Sequence, residues 1–297
     1  MVNLRKNLLY YSSFGCQNTN LFITASAILS AKKFKDDSFD ILLYCDVNMF
    51  VCLNKFWPGI TDGIRVWKSY YAYTSPFDAT WSRYEIFNWI DIGEYSNILY
   101  LDTDTIVSGK LSNLFSLLDK KLLNLFSLFY KKLSPIFALQ EDSPSDKPYH
   151  GQQIYKLYKK DYEKMKHFST GVLLFKKCKS VENIFSISQS FSRKFIQQYR
   201  RNFDDRLAPF STCDQPTINF LLNKKSLVDV KSLKEFVKNN PKNNQQFLIS
   251  HFPGGVGNKN KASKVFNFLE RDRKRFSDII YQLRNSQVFE EVIGQST

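Results

Sequence analysis

The chain has 297 residues, and 42 Lys and Arg against 28 Asp and Glu give it a formal net charge of +14. Hydrophobic residues make up 43% and aromatic residues 16%, which excludes wholesale disorder because such side chains can bury enough surface to offset backbone ordering. The five cysteines form no CxxC pair, and their odd number argues against a disulfide scaffold or an all-cysteine zinc site. The excess of positive charge makes a nucleic-acid-binding protein the first alternative to consider.

Strand and helix patterns alternate along the chain. Continuous apolar runs predict strands at 8–13, 39–46, 63–68, 97–101, 135–139, 169–175 and 247–250. Helical periodicity predicts a helix with Asn18 or Thr19 as its N-cap, and further helices at 82–89, 181–200, 215–222 and 266–283. Buried strands separated by helices predict an α/β fold, with a mixed, mostly parallel sheet covered by helices on both faces. We expect one domain over 1–262, followed by a C-terminal helix and tail over 263–297.

A tandem repeat follows the fourth predicted strand. Residues 111–121 and 122–132 match at eight of eleven positions. Because eleven residues nearly equal three helical turns, the second copy would extend a helix and keep its apolar face in phase. The repeat is interpreted as a tandem duplication tolerated at the surface, and a contact surface for a partner is the alternative.

The apolar runs also bear on location. The run at 8–11 is too short for a signal-peptide core and lacks a small-residue cleavage site. No stretch approaches the roughly 18 apolar residues of a membrane span. We therefore expect a soluble, cytoplasmic protein, whose basic surface could still contact anionic membranes peripherally.

Two aspartates, Asp102 and Asp104, follow the apolar run 97–101, where the predicted strand ends. In open α/β sheets, ligands bind beyond the carboxyl ends of the strands. Two carboxylates one residue apart at such a bend can face one hard cation, and acids beside a buried strand need a cationic partner. Glu270 and Asp272 have the same spacing, but they lie in a charged segment that is expected to be a solvated helix face.

Several other segments along the chain contain polar or glycine-containing motifs next to predicted strands and helices. They are Arg83 in the helix before the strand, FSTGV at 168–172, CDQP at 213–216 with Asn219, and HFPGG at 251–255. Together with YLDTD at 100–104, and in this order along most of the chain, they resemble glycosyltransferase family eight. That family comprises the glycogenin-like and galactinol-synthase-like enzymes of GT-A fold.

The resemblance implies a single GT-A, Rossmann-like domain and a retaining, metal-dependent transferase. It would move a hexose from a nucleotide-sugar, usually a UDP-sugar, to an acceptor that the sequence leaves unidentified. Asp102, Asp104 and His251 would hold Mn²⁺, or alternatively Mg²⁺, against the donor phosphates, where the ion acts as a Lewis acid on the leaving diphosphate. Many members of the family form dimers, so a homodimer is a further expectation.

The nucleotide-sugar site is expected to draw on several segments. Ser12 and Ser13 are expected near the base or ribose because of their position at a strand end. The other expected donor-binding residues are Arg83, Asp102, Thr103, Asp104, Gly254, Gly257, Lys259 and Lys261. By the same resemblance, Asp214 and Gln215 would lie at the reacting face of the sugar. Retention requires either a covalent glycosyl-enzyme or a front-face reaction through an ion pair, and the sequence leaves both open.

The chain departs from the family pattern at several positions. Ser169 and Thr170 replace the asparagine and serine of the F-N-S-G motif, and Asn20 stands near the position of a tyrosine that stacks on uracil. Gly257 stands where the family has a lysine, which makes Lys259 or Lys261 the candidate phosphate-binding lysine.

Alternative interpretations remain for the residues and for the whole chain. His251 could be a structural residue at a strand end, and Asp214 could be an ordinary helix N-cap. The alternative functions are a basic nucleic-acid-binding protein and a catalytically inactive GT-A scaffold. No specific nucleic-acid partner is expected, because the lysine pairs are scattered and no recognised nucleic-acid-binding motif accompanies them.

Overall fold

The structure, a computed structural model, describes residues 6–69, 73, 79–88, 92–123, 135–141, 166–202, 214–241, 247–253 and 259–294. Several predicted features lie outside these residues, namely 124–132 of the tandem repeat and the loop glycines Gly254 and Gly257. The segment 142–165, between the predicted strands 135–139 and 169–175, also lies outside them. The side chains at 119–123, 191–202 and 259 also lie outside the described part.

The described strands and helices alternate as the sequence predicts. The strands are β1 (Lys6–Ser13), β2 (Phe39–Asp46), β3 (Arg65–Ser69), β4 (Tyr95–Leu101), β5 (Thr105–Val107), β6 (Ile136–Gln140), β7 (Phe168–Lys176), β8 (Val228–Asp229), β9 (Val237–Asn239) and β10 (Ile249–His251). The helices are α1 (Asn18–Lys33), α2 (Val47–Phe56), α3 (Ser112–Leu123), α4 (Lys179–Asn202), α5 (Gln215–Lys225), α6 (Lys259–Arg271), α7 (Arg273–Arg284) and α8 (Gln287–Val292), with 3-10 turns at Thr80–Asn88 and Ser232–Glu235. A seven-stranded sheet has the order β3-β2-β1-β4-β7-β6-β8, and a three-stranded sheet has the order β5-β10-β9.

The chain divides into two compact units, and the boundary runs through β4. Unit one comprises Met1–Arg5, Phe77–Leu99 and Phe115–Lys234, and unit two comprises Lys6–Pro76, Tyr100–Leu114 and Glu235–Thr297. The predicted division into 1–262 and 263–297 stays a prediction. Its boundary falls within α6, which belongs to unit two as a whole.

Unit two is built around parallel strands. β1 pairs with β2 and β2 with β3, all parallel, so their carboxyl ends meet at one edge of the sheet. Leu8, Leu9, Tyr10 and Tyr11 of β1 are fully buried. Helix α1 follows β1 and is buried throughout its middle, where it contacts α6, α7 and α8. Its serines tolerate this burial because their hydroxyls donate to carbonyl oxygens of the same helix.

The small sheet of unit two brings distant segments together. Its central strand β10 is antiparallel to β5 and parallel to β9. The register places His251 opposite Thr105 on one side and opposite Asn239 on the other. The strand that follows the two aspartates is therefore paired with a strand from near the end of the chain.

Unit one contains the antiparallel pair β6 and β7, with β8 parallel to β6. β7 is an apolar run that is buried from Phe168 to Phe175, as expected for a strand inside a sheet. Helix α5 contacts β7 and α4. The amide of Asn219 in α5 donates to the Phe168 carbonyl at 2.9 Å and accepts from the Phe168 N–H at 3.0 Å, which fixes α5 against the start of β7.

Three local predictions are wrong, and one helix of the structure is not predicted. The N-cap of α1 is Gln17, because both predicted caps already lie inside the helix. The predicted charged helix over 266–283 is two helices that meet at Asp272. The helical periodicity of 181–200 also predicts a buried Ile187, but this side chain is 40% exposed in α4. The unpredicted helix is α2, which the Asp46 carboxylate caps by accepting from the Met49 N–H at 2.7 Å.

None of the helices in the described part of the chain is long and apolar enough to cross a membrane. The four cysteines that belong to this part, Cys16, Cys45, Cys52 and Cys178, are free thiols.

Candidate active site

The two aspartates lie in a tight turn between β4 and β5. The Thr105 hydroxyl donates to the Asp102 carbonyl at 2.7 Å, and the Phe252 N–H donates to the Asp104 carbonyl at 2.9 Å. The first bond closes the turn within three residues, and the second ties it to the residue that follows β10. Thr103 lies between the aspartates and is half-buried. The turn therefore holds both carboxylates at a strand end, as the sequence predicts.

Asp102, Asp104 and His251 form one cluster of ligand atoms. One atom from each residue lies within 4.8 Å of the other two. Asp104 and His251 are buried, and Asp102 is half-buried. Two carboxylates and one imidazole within this distance of each other are a ligand set that a single divalent cation can bind.

The orientation of the His251 ring is set by Asn239. Nδ1 of His251 lies 2.8 Å from the side-chain oxygen of Asn239. An amide oxygen can only accept, so Nδ1 carries a proton, and in the neutral ring the lone pair is therefore on Nε2. Nε2 lies 3.4 Å from Oδ1 of Asp104. The free lone pair of the imidazole thus lies on the side of the two carboxylates.

Asp104 is a buried carboxylate, and one of its two oxygens forms an ion pair. Its Oδ2 lies 2.6 Å from Nζ of Lys261, whereas its buried Oδ1 accepts no hydrogen bond. Burial acts to raise the pKa of Asp104, but the positive charge of His251, when its ring is protonated, and that of Lys261 hold the pKa well below its ordinary value. An ionised oxygen without a hydrogen bond, beside an imidazole lone pair, is the arrangement that fits a metal ion.

Asp102 is held by the strand that precedes it. The hydroxyl of Tyr100, which is 1% exposed in β4, donates to Oδ1 of Asp102 at 2.5 Å. The ring of Tyr100 packs on Tyr10 of β1 with ring centroids 4.9 Å apart. Each of the three candidate ligands therefore has a neighbour that holds one of its atoms, a feature typical of metal sites in proteins.

A second cluster lies in unit one and surrounds Asp214. This carboxylate is 2% exposed and accepts a short hydrogen bond from the hydroxyl of Tyr84. Nε of Arg83 lies 3.7 Å from its Oδ2. The same guanidinium donates from Nη1 to the Thr170 carbonyl at 2.9 Å. Arg83, Thr170 and Asp214, each part of a motif singled out in the sequence, thus meet in one buried network.

The N-cap interpretation of Asp214 is wrong for its side chain. Asp214 is the residue before α5, but its carboxylate makes no capping hydrogen bond and instead contacts Arg83 and Tyr84. Gln215 begins α5, and its amide nitrogen lies 3.4 Å from Oε1 of Glu141. The backbone carbonyl of Gln215 accepts from the Asn219 amide at 3.1 Å.

The residues predicted to lie near the base occupy the end of β1. Ser13 is 3% exposed, and its hydroxyl lies 2.8 Å from that of Thr24, so it is committed to an internal hydrogen bond. Ser12 is half-buried. Asn20 donates to the carbonyls of Phe14 and Gly15, both at 2.8 Å, and thereby fixes the turn after β1.

The remaining predicted donor contacts belong to the segment after β10. Gly254 and Gly257 lie outside the described residues. Lys259 is the first residue of α6, and Lys261 lies in the first turn of that helix. Of these two lysines, Lys261 is the one with a described side chain, and that side chain contacts Asp104.

Three residues of these clusters, Asn239, Tyr84 and Tyr100, are not predicted as site residues from the sequence. Tyr100 belongs to the YLDTD segment, but nothing in the segment indicates that its hydroxyl turns back to Asp102. Tyr84 follows Arg83 directly, and that adjacency is the one local signal that could have suggested it. Asn239 lies 12 residues before His251, and no local pattern marks it.

Comparison with known proteins identifies the fold. No family model matches the chain, and no curated protein matches it. Among solved structures, a glutamine-to-glutamate active-site mutant of LgtC is 14% identical, with a TM-score of 0.51 over 89% of this chain and 95% of that chain. The bifunctional glycosyltransferase WbbM is 14% identical, with a TM-score of 0.51 over 95% of this chain and 52% of that chain.

The chain has the GT-A glycosyltransferase fold. A further LgtC structure, a galactosyltransferase in complex with donor and acceptor sugar analogs, matches 88% of this chain at 13% identity and a TM-score of 0.49. The matches to the LgtC mutant and to WbbM, both 14% identical at a TM-score of 0.51, establish the fold alone, and the chain spans about half the length of WbbM. Membership of family eight stays a prediction. Within the GT-A fold, Asp102 and Asp104 form the candidate DxD metal site.

Proposed function

We propose that this protein is a metal-dependent, retaining glycosyltransferase that moves a hexose from a nucleotide-sugar, preferentially a UDP-sugar, to an acceptor. The observation that carries the proposal is the cluster of Asp102, Asp104 and His251 at the end of a buried strand. The GT-A fold supports it, because WbbM, a neighbour at a TM-score of 0.51, is a bifunctional glycosyltransferase.

In this proposal the three residues hold one divalent cation. Two carboxylates and a neutral imidazole suit Mn²⁺, with Mg²⁺ as the alternative. When bound, such a cation supplies Lewis-acid stabilisation of the diphosphate that leaves the sugar. Asn239 keeps the lone pair of His251 available, and Lys261 keeps Asp104 ionised before any ligand arrives.

The Asp214 network is proposed to act on the sugar. A buried carboxylate held by Arg83 and Tyr84 cannot rotate freely, so it presents a fixed negative charge. Such a charge can accept hydrogen bonds from sugar hydroxyls and stabilise positive charge that develops at the anomeric carbon. Gln215 is proposed to contact the same sugar, and a glutamine is also the residue altered in the active-site mutant of LgtC. Both routes to retention remain compatible with these roles.

The other donor contacts follow the sequence prediction. Ser12, Ser13, Arg83 and Thr103 are proposed to lie within the nucleotide-sugar site, together with Gly254, Gly257, Lys259 and Lys261 near the phosphates. The hydroxyl of Ser13 is not available for such a contact, because it is already hydrogen-bonded to the hydroxyl of Thr24. Ser13 would contact the nucleotide through its backbone rather than its side chain.

The proposal is tested by nucleotide release. Purified protein with Mn²⁺ is offered UDP-glucose, UDP-galactose, UDP-N-acetylglucosamine and UDP-xylose, and released UDP is measured. We expect release from at least one donor, its loss on addition of EDTA, and its loss in Asp104→Asn. Asp272→Asn is the matched control, since Asp272 belongs to the other acidic pair and contacts only Arg275 among the described salt bridges, at 3.4 Å.

The outcomes separate the alternative functions. Release that persists in Asp104→Asn would contradict the proposed metal site. No release from any donor would favour an inactive scaffold. Salt-sensitive binding of nucleic acid, unchanged by Asp102→Asn and Asp104→Asn and without any release, would favour the nucleic-acid-binding protein.

A further inference from the structure

The two oxygens of Asp104 have different neighbours. Oδ2 lies 2.6 Å from Nζ of Lys261, and Oδ1 lies 3.4 Å from Nε2 of His251 without accepting a hydrogen bond. The side chain of Asp104 is 8% exposed and that of Lys261 is 16% exposed. Little water is therefore available to screen the carboxylate from the ammonium, and the two charges interact strongly.

This contact alters the charge that a metal ion would meet. Asp102 and Asp104 carry two negative charges, and the ammonium of Lys261 cancels one of them. A divalent cation that enters alone must then share Asp104 with a group of its own sign. Lys261 is thus expected to lower the affinity of the site for the cation alone, and a neutral residue at this position should restore that affinity.

A diphosphate would change this balance. Lys261 is the third residue of α6, a helix of 13 residues. The first turn of a helix favours anions, because its N–H groups are not used within the helix and its dipole is positive there. Lys261 is consequently placed where it can pair with Asp104 in one state and with a phosphate in another.

We propose that Lys261 is a resident cation at Asp104 that makes the binding of a divalent cation and of a nucleoside diphosphate depend on each other. The proposal rests on the proposed function, since it takes Asp102, Asp104 and His251 as metal ligands. Without nucleotide, Lys261 neutralises Asp104 and disfavours the cation. With nucleotide, the negative phosphates offset the charges of the Lys261 ammonium and of the divalent cation. The cation and the diphosphate therefore bind together and leave together.

The test measures Mn²⁺ binding by calorimetry, with the full chain, alone and in the presence of saturating UDP, GDP or ADP. In the wild-type protein, at least one nucleotide is expected to raise Mn²⁺ affinity by about tenfold or more. Lys261→Met should bind Mn²⁺ alone about tenfold more tightly than the wild type, and nucleotide should raise its Mn²⁺ affinity by a smaller factor than in the wild type. Lys264→Met is the matched control, because Lys264 is an exposed lysine one turn later in α6.

Several results would overturn the proposal. One is a Lys261→Met protein that folds and binds Mn²⁺ alone no more tightly than the wild type. Another needs no variant: linkage requires Mn²⁺ to raise nucleotide affinity by the same factor that nucleotide raises Mn²⁺ affinity, so wild-type protein without such coupling contradicts the idea. If the wild type binds no Mn²⁺ even with nucleotide, the proposed metal site itself fails. That result is distinct from binding without coupling.

Discussion

The side-chain oxygen of Asn239 lies 2.8 Å from Nδ1 of His251. The two residues are directly opposite each other in the parallel pair of β9 and β10, so the contact is built into the register of the small sheet. This contact decides which ring nitrogen faces Asp104. In proteins, partners of this kind fix the orientation and the tautomer of a ligating histidine.

Asn239→Ala should therefore weaken metal binding while leaving the three ligands in place. We expect Mn²⁺ affinity, measured with saturating nucleotide, to fall by about 10- to 100-fold. Asn239→Asp retains an acceptor for Nδ1 and should retain the affinity. Asn267→Ala, an exposed asparagine of α6, is the control and should bind Mn²⁺ as the wild type does. Equal affinities of Asn239→Ala and the wild type would contradict the role of Asn239.

Tyr84→Phe tests the network around Asp214. The substitution removes the hydroxyl that donates to the buried carboxylate and leaves Asp214 with fewer donors. We expect the free energy of unfolding to fall by about 1–3 kcal/mol, the cost of a buried polar group that loses its partner. Because Asp214 is proposed to act on the sugar, the maximal rate of nucleotide release should also fall, with little change in Mn²⁺ affinity.

Tyr281→Phe is the matched control for that variant. Tyr281 is 69% exposed, so loss of its hydroxyl should change neither the unfolding free energy nor the rate. A Tyr84→Phe protein with wild-type stability and wild-type rate would contradict the importance of the contact with Asp214.

Phe266→Ala tests whether the C-terminal helices stabilise unit two. The Phe266 ring, 6% exposed in α6, lies 4.9 Å from that of Phe289 and 6.2 Å from that of Phe22 in α1, measured between centroids. Removing it leaves a cavity between α6 and α1. We expect the free energy of unfolding, measured in urea, to fall by about 3–5 kcal/mol.

The control for Phe266→Ala is Tyr281→Ala on the neighbouring helix α7. This aromatic side chain is exposed, and its truncation should change the unfolding free energy by no more than about 0.5 kcal/mol. An unchanged urea midpoint for Phe266→Ala would mean that 263–297 contributes little to the stability of unit two.

Most strands could be predicted from the sequence because each is a continuous apolar run. The predicted strand 39–46 coincides with β2, and the predicted strand 169–175 lies within β7. The short strands β5 and β9 were not predicted, since three residues are too few for periodicity to be visible. These two strands are the ones that pair with β10 and so set the position of His251.

The site residues, like the strands, could be predicted only where their pattern in the sequence is local. The sequence by itself determined Asp102 and Asp104, because both follow one strand and their spacing is local, and family resemblance added His251 and Asp214. Only the tertiary structure decided their partners. Lys261 pairs with Asp104, Asn239 with His251, and Tyr84 with Asp214, which lies 130 residues away along the chain. Hydrogen bonds between distant segments depend on sheet register and helix placement, and these arise from the packing of the chain rather than from any local pattern.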